Sequence, residues 1–308
     1  MTRHKPVMLR EAVSKLALSS GDCVFDGTVG SAGHTRAICA RLDFGRIVGT
    51  DKDRQAIQEA RKTLEKSQCS LNYCLRIANF QGVETIMKAC GVEKFQAALL
   101  DLGFRSEQLE SERGFSFQHE APLLMTYKDP DTLTKHDVTA RDVVNTWDKQ
   151  TLVDILSGYA DETHAQEIAK EIVSRRQSGW LETTTDLVEA VKTAVPSGYA
   201  RGGRHPATKT FQAIRMAVND EVRSLTYGLK DIFTALSATA RFVVISFHSV
   251  EDRIVKRAFS QWVEAGKALS IGNQPITPQQ PEIDTNPRAR SAKLRCIEKV
   301  QNSTSNRN

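Results

Sequence analysis

Three aspartates, Asp26, Asp51 and Asp101, each stand at the end of a short apolar run. Asp26 leads into a turn with three glycines, which lets backbone approach a ligand closely because glycine has no Cβ. An acid at the tip of the next strand, as at Asp51, can accept both hydroxyls of a ribose. Three carboxylates without partners are costly to bury, so together they predict a crevice for a hydroxyl-rich or cationic ligand.

The glycine-rich turn leaves the choice of cofactor open. Its glycines are Gly27, Gly30 and Gly33, whereas the dinucleotide fingerprint is G-x-G-x-x-G with a pyrophosphate on the helix N-terminus. Asp26 at the mouth of the turn would repel a pyrophosphate, but it suits the ammonium of S-adenosylmethionine, which has no phosphate. The turn therefore favours S-adenosylmethionine over a nicotinamide dinucleotide, and a turn that merely connects a strand to a helix is the remaining alternative.

The apolar runs predict parallel strands of an open α/β sheet at residues 46–51, 70–77, 95–103 and 241–247. Because the carboxyl ends of parallel strands meet at one edge, the three aspartates should lie on one rim. The other predicted elements are helices at 6–18, 53–66 and 205–236, a helix capped by Ser249, a loop at 266–284 and an edge strand at 291–300.

The pattern changes in the middle of the chain. Between residues 110 and 204 the alternation of glycines and strands stops, and helical spacing prevails at 138–145, 149–156, 162–176 and 184–195. We therefore predict three segments: the first part of a sheet domain at 1–109, a helical insertion at 110–204, and the second part of the sheet domain at 205–308.

Composition limits the class of protein. The chain has 308 residues, a net charge of +5 and six cysteines without a C-x-x-C pair, which predicts a cytoplasmic enzyme with reduced, partly buried thiols. No apolar run approaches the roughly 20 residues of a membrane span, and the N-terminus lacks the apolar core of a signal peptide. No set of His, Cys, Asp and Glu has metal-ligand spacing, so no metal site is predicted.

Several longer motifs occur in a characteristic order. They are D-G-T-V-G-S-A-G-H at 26–34, D-L-G at 101–103, E-R-G-F-S-F at 112–117, H-P-A-T-K-T-F-Q-A at 205–213, S-F-H-S-V-E-D-R-I-V-K at 246–256 and N-P-R-A-R-S at 286–291. With these motifs the chain closely resembles the RsmH/MraW family, bacterial enzymes that methylate the exocyclic N4 of a cytidine in the decoding centre of 16S ribosomal RNA. The resemblance implies a Rossmann-like class I methyltransferase sheet with an inserted all-helical domain.

The resemblance also implies roles for individual residues. The methionine part of S-adenosylmethionine would touch Ala32, Gly33 and His34, Asp51 would hold the ribose, Phe80 would lie beside the adenine, and Asp101 and Gln108 would complete the cofactor site. Asp101 could instead accept a hydrogen bond from the target amine and act in catalysis. The sequence does not separate these two roles.

The implied partner is 16S rRNA within the small ribosomal subunit, and the enzyme could form a homodimer. The target base must leave its stack to be reached, so phosphate contacts would hold the RNA. Candidates for these contacts are Arg201, Arg204, Lys209, Arg288, Arg290 and Lys293, each of which is equally well explained as a solvated charge. Phe104 could stack on a base, while His205 and His248 are better explained as structural.

The chain departs from the family pattern at Ser31, Arg105, Leu124 and Thr126. These departures keep open a non-catalytic rRNA-binding or assembly protein on the same fold. A dinucleotide-dependent oxidoreductase is the other alternative, and Asp26 argues against it.

Overall fold

The chain divides into two compact units. A computed structural model describes residues 5–67, 69, 71–103, 106–199 and 205–301. The first unit comprises Met1–Gly103 and Ser224–Asn308, and the second comprises Phe104–Arg223. The insertion was predicted at 110–204, and the second unit starts before and ends after these bounds. It extends beyond residue 204 because Phe211 and Ile214 belong to its apolar core.

The first unit contains a seven-stranded sheet. Its strands are β1 (Cys23–Asp26), β2 (Arg46–Asp51), β3 (Asn72–Ile77), β4 (Phe95–Asp101), β5 (Leu236–Ser246), β6 (Ala268–Ser270) and β7 (Lys293–Lys299). Their order is β3-β2-β1-β4-β5-β7-β6; the first five strands are parallel, and β7 is antiparallel to both of its neighbours. This arrangement confirms the predicted Rossmann-like α/β sheet.

The helices, in chain order, are α1 (Leu9–Leu16), α2 (Gly33–Cys39), α3 (Arg54–Lys66), α4 (Val83–Cys90), α5 (Ser106–Leu109), α6 (Ala140–Thr146), α7 (Lys149–Ala160), α8 (Ala165–Arg175), α9 (Thr184–Ala194), α10 (Thr208–Val218), α11 (Glu221–Ala235), α12 (Ser249–Glu264) and α13 (Gln280–Thr285). In the second unit, α6 to α10 supply most of the apolar core. Capping boxes at Thr139 with Asp142 and at Thr183 with Asp186 start α6 and α9.

Burial explains why the central strands could be predicted. Four consecutive residues of β4, from Ala97 to Leu100, are fully buried, as are Phe242 and Val243 of β5. Parallel strands are covered on both faces, and therefore they form continuous apolar runs rather than alternating ones. The central strands can therefore be recognised in the sequence as unbroken aliphatic segments.

Four sequence predictions in the C-terminal half are wrong. The predicted helix at 205–236 is two helices, because Asp220 adopts a left-handed backbone with φ 49° and the Asn219 amide donates to the Arg215 carbonyl over 2.9 Å. The residue that caps α12 is His248 rather than Ser249. The predicted loop at 266–284 contains β6 and α13, and β6 covers β7, which is therefore not an edge strand.

The cysteines also differ from the prediction of reduced thiols. Disulfides join Cys39 to Cys69 and Cys74 to Cys90, while Cys23 and Cys296 are free. Each pair lies within the first unit and brings together positions 30 or 16 residues apart, which sequence spacing alone did not indicate. Within the described part of the chain, no helix is long and apolar enough to cross a membrane.

Candidate active site

The three aspartates meet at the carboxyl end of the parallel sheet, within the first unit. Strand β1 lies between β2 and β4, and Asp26 is paired with Gly49 on one side and Leu99 on the other. Asp51 and Asp101 stand two residues beyond these partners, at the last positions of their strands. The register therefore places all three carboxylates on one rim, which confirms the predicted cluster.

The glycine-rich turn is tied to the tip of β2. The Gly30 N–H donates to one carboxylate oxygen of Asp51 over 3.0 Å, and the Asp53 N–H donates to the other over 2.9 Å. Gly30 and Ala32 both have left-handed backbones, with φ 53° and φ 65°. A side chain at Gly33 would collide with Pro6, so only glycine fits at the start of α2. Asp51 thus fixes the conformation of the turn, in addition to any role in holding a ligand.

Asp26 lies beneath the turn rather than at its mouth. Its side chain is 1% exposed, and it accepts hydrogen bonds from the Thr35 hydroxyl over 2.7 Å and the Thr28 N–H over 3.1 Å. Burial, with a smaller contribution from the charge of Asp51, raises the pKa of Asp26 to about 6. The prediction that Asp26 contacts a ligand ammonium directly is therefore corrected. This carboxylate can act on a ligand only through its electrostatic field.

The side chains of Asp101 and His34 are in contact, with His34 buried and Asp101 partly buried. Asp101 Oδ2 lies 3.5 Å from His34 Nδ1, and the other nitrogen of the ring, Nε2, lies 3.1 Å from the carbonyl oxygen of Val7. A carbonyl oxygen only accepts, so Nε2 carries a hydrogen. Nδ1 and Oδ2 would then face each other with lone pairs unless one proton is held between them. The geometry therefore favours a pair that shares one proton.

The second carboxylate oxygen of Asp101 is an acceptor without a partner. Oδ1 is buried and has no hydrogen-bond partner, although the backbone N–H of the same residue donates to the Thr28 hydroxyl over 2.6 Å. Burial raises the pKa of Asp101 well above its ordinary value; the negative charges of Asp26 and Glu251 add to this effect, and Arg288 opposes it. An unpartnered acceptor of raised proton affinity is suited to receive a proton from a bound group.

Phe80 lies beside the glycine-rich turn. A Cβ at Gly27 would come within 3.0 Å of the Phe80 Cβ, and the edge of the ring packs on Gly228 of α11. The neighbouring Asn79 amide donates to the Ser224 hydroxyl over 2.8 Å, which fixes the short segment after β3. Because Gly27 and Gly228 have no side chains, Phe80 has room to lie near the rim.

The remaining predicted residues are distributed over both units. Gln108 belongs to the second unit and is 3% exposed. Lys209, in the same unit, donates to the Asp161 carbonyl at the end of α7 over 2.7 Å, which gives it a structural role as a helix cap. Phe104, Arg105, Arg201 and Arg204 lie outside the described residues.

The C-terminal cations belong to the first unit. Arg288 acts electrostatically on Asp101, Arg290 is exposed, and Lys293 donates to Asp252 over 3.1 Å. His248 accepts from the Glu251 N–H through Nδ1 and so begins α12, as expected of a structural histidine.

Sequence reasoning missed several residues that support the site. Thr28 and Thr35 fix Asp101 and Asp26, and both occur in or next to the motif at 26–34, which was the available signal. Val7 orients His34 through a backbone carbonyl, so no side-chain pattern could have indicated it. Glu251 lies in a motif that was noted, but its effect on Asp101 depends on how β4 and β5 pair.

The donor set fits a cofactor without phosphates. Around the turn the described side chains include three carboxylates, and Asp101 Oδ1 is a buried acceptor without a partner. Such a rim disfavours a pyrophosphate and suits the hydroxyls and positive charges of S-adenosylmethionine. Phe80 lies beside the turn, and Asp51 ends β2 at the same edge of the sheet.

Comparison with known proteins agrees with this assignment. The chain is 38% identical to the ribosomal RNA small subunit methyltransferase H of Ruminiclostridium cellulolyticum, with 97% of this chain and 99% of the relative covered. The proteins of the same name from Paenibacillus sp. and Geobacter sp. are 38% and 39% identical, covering 97% and 96% of this chain and 100% and 98% of the relatives.

A crystal structure of an rRNA methylase from Streptococcus thermophilus aligns over 98% of this chain and 99% of its own, with 10% identity and a TM-score of 0.46. The profile of the MraW methylase family matches residues 1–300. With this match and the identities to the named relatives, the chain belongs to the MraW methylase family.

Proposed function

We propose that the protein transfers a methyl group from S-adenosylmethionine to the exocyclic N4 of a cytidine in 16S rRNA. The observation that carries this proposal is the buried Asp101 carboxylate, which ends β4 with one oxygen held near His34 and the other without a partner. Family membership and the names of the relatives, which refer to small-subunit rRNA, support the reaction and the substrate.

The chain's own residues would align the amine and receive its proton. When bound, S-adenosylmethionine supplies the methyl group as a sulfonium, whose carbon–sulfur bond breaks as the N4–carbon bond forms. Cytosine N4 is a weak nucleophile because its lone pair is delocalised into the ring. Asp101 Oδ1 would accept a hydrogen bond from N4, raise its electron density and take the proton that the methylated amine loses.

The cofactor contacts follow the residues of the rim. Ala32, Gly33 and His34 would bind the methionine part, Asp51 the ribose and Phe80 the adenine. Gln108, the remaining cofactor residue that the family resemblance implies, belongs to the second unit. Asp26, from beneath the turn, would stabilise the positive charge of the cofactor without touching it.

The substrate would be 16S rRNA in the small ribosomal subunit, which places the enzyme in the cytoplasm. Arg288, Arg290 and Lys293 would contact phosphates, together with Arg201 and Arg204. A homodimer is part of the same proposal. The names of the relatives support the rRNA of the small subunit as the partner.

A methyl-transfer assay tests the proposal. Purified protein and labelled S-adenosylmethionine are incubated with small subunits lacking the modification, and the product nucleoside is identified by mass spectrometry. We expect N4-methylated cytidine with the wild type and a loss of kcat of about 100-fold or more for Asp101→Asn, with a smaller change in the KM for the cofactor. Bound RNA without methyl transfer would instead support the non-catalytic assembly protein.

A further inference from the structure

The segment that precedes α1, residues 5–8, connects the glycine-rich turn with α13 inside the first unit. On one side, Pro6 packs against Gly33 at the start of α2. On the other side, the Lys5 ammonium donates to the Thr285 hydroxyl over 2.8 Å, and the Asn286 amide donates to the Lys5 carbonyl over 3.1 Å. The segment thus lies against the turn while the end of α13 holds it.

One peptide group of this segment is hydrogen-bonded at both ends. The Met8 N–H donates to Glu282 Oε1 of α13 over 2.6 Å, and the Val7 carbonyl oxygen lies 3.1 Å from His34 Nε2. The Val7 carbonyl and the Met8 N–H belong to the same trans peptide, and therefore they point in opposite directions. The peptide stands between the Glu282 carboxylate and the His34 ring.

The backbone of Met8 makes this arrangement depend on its surroundings. Met8 has a left-handed conformation, with φ 51° and ψ 38°, which residues with a side chain rarely adopt. Such a conformation persists where neighbouring groups hold it. The Met8 side chain is fully buried, and its N–H is held by Glu282. The contact with Glu282 therefore helps to fix the plane of the peptide and the direction of the Val7 carbonyl.

The direction of that carbonyl selects the state of His34. A neutral histidine carries its hydrogen on one nitrogen or the other, and the partner of each nitrogen decides which. Because the Val7 carbonyl only accepts, it keeps a hydrogen on Nε2 and turns Nδ1 towards Asp101 Oδ2, 3.5 Å away. If the carbonyl were displaced, the ring would turn or change tautomer, and Asp101 would lose a contact that orients it.

Resting on the proposed function, we propose that Glu282 is a positioning residue for methyl transfer. It acts on Asp101 through the Val7–Met8 peptide and His34. A carboxylate that accepts from one end of a peptide polarises it, which makes the carbonyl at the other end a stronger acceptor. Glu282 thus holds the ring that orients the proposed proton acceptor, although it lies 181 residues from Asp101 in the sequence.

The test compares Glu282→Ala with Asp284→Ala, which removes a carboxylate from the same helix. Asp284 is exposed and accepts from the Gln280 amide within α13 over 2.7 Å. In Glu282→Gln, the amide oxygen can still accept from the Met8 N–H, so this variant serves as the rescue. The state of His34 is measured by NMR of protein with isotope-labelled histidine nitrogens, in which the His34 signals are identified by their absence in His34→Asn.

We expect the wild type and Asp284→Ala to show a single His34 state, with the hydrogen on Nε2. Glu282→Ala should show a mixture of tautomers and should methylate small subunits with kcat lowered about tenfold, because misplacing a reacting group costs up to about 100-fold. The KM for S-adenosylmethionine should change by less than about threefold. Glu282→Gln should restore the His34 signals, with kcat within about threefold of the wild type.

A purely structural cap of α1 would give a different pattern. Unchanged His34 signals in Glu282→Ala would overturn the proposal, whether or not kcat falls. Equal losses of kcat in Glu282→Ala and Glu282→Gln would also overturn it, since the charge rather than the hydrogen bond would then be responsible. If Glu282→Ala does not fold, Glu282→Asp takes its place, because it keeps the charge but shortens the side chain.

The NMR comparison needs no substrate, and therefore it separates this proposal from the proposed function. A wild type that does not methylate small subunits would overturn the proposed function. The His34 signals of the Glu282 variants would still decide whether Glu282 sets the state of the ring.

Discussion

Replacing Asp26 by asparagine should make the protein more stable and its cofactor site weaker. The Asp26 pKa is about 6 in the folded protein against an ordinary 3.8, a difference of about two units. At about 1.4 kcal/mol per unit, this amounts to about 3 kcal/mol. Because the folded pKa is raised, the stability from this group is full below about pH 3.8 and is lost as the pH rises through about 6.

The Asp26→Asn substitution should preserve the local hydrogen bonds. The amide oxygen can accept from the Thr28 N–H, and the amide nitrogen can donate to the Thr35 hydroxyl, which also accepts. The variant therefore removes the cost of a buried charge. At pH 7 its free energy of unfolding should exceed that of the wild type by up to about 3 kcal/mol, so it should unfold at a higher urea concentration. The same change removes a negative charge beneath the turn, so affinity for S-adenosylmethionine should fall about tenfold.

Urea unfolding at pH 4, 5, 6 and 7, combined with calorimetric titration of the cofactor, measures both effects. Asp43→Asn is the control, because Asp43 is an exposed side chain of the same unit. The difference in unfolding free energy between Asp26→Asn and the wild type should grow between pH 4 and 6 and then level off. A difference that is constant with pH, or a variant less stable than the wild type at pH 7, would refute the assignment of a buried charge.

Three further predictions concern the other parts of the site and its frame. His34→Asn keeps a donor near Asp101 Oδ2 and should retain most of the turnover, whereas His34→Leu should lower kcat about 10- to 100-fold; equal losses would exclude proton sharing as the cause. Asp51→Ala should abolish cofactor binding by calorimetry, and binding within a few-fold of the wild type would show that the ribose assignment is wrong. The denatured, unreduced protein should show two free thiols, and six after reduction. Reduction should lower the free energy of unfolding by about 3 kcal/mol per disulfide. Six thiols before reduction would contradict the Cys39–Cys69 and Cys74–Cys90 pairs.

The sheet and its three aspartates could be predicted because both are local in sequence. A buried parallel strand is an unbroken apolar run, and the residue that ends it lies on the ligand-binding edge by the geometry of the fold. Asp26, Asp51 and Asp101 could therefore be grouped before any coordinates were known. The depth of Asp26 was not predictable in this way, because it depends on the Thr35 hydroxyl of the following helix.

Features that depend on long-range pairing could not be predicted. The position of β7 inside the sheet depends on β6, a three-residue strand in a stretch rich in proline and glutamine. The end of α10 depends on Asn219, whose amide donates to the Met125 carbonyl 94 residues away. His248 became a helix cap through a nitrogen that accepts a backbone N–H, a role that serine fills more often.

The most direct test of the central claim is mass spectrometry of 16S rRNA nucleosides from strains that differ only in this gene. We predict that deletion removes the methyl group from N4 of one cytidine, and that the wild-type gene restores it while an Asp101→Asn copy does not. Unchanged N4-methylcytidine in the deletion strain, or full restoration by the Asp101→Asn copy, would contradict it.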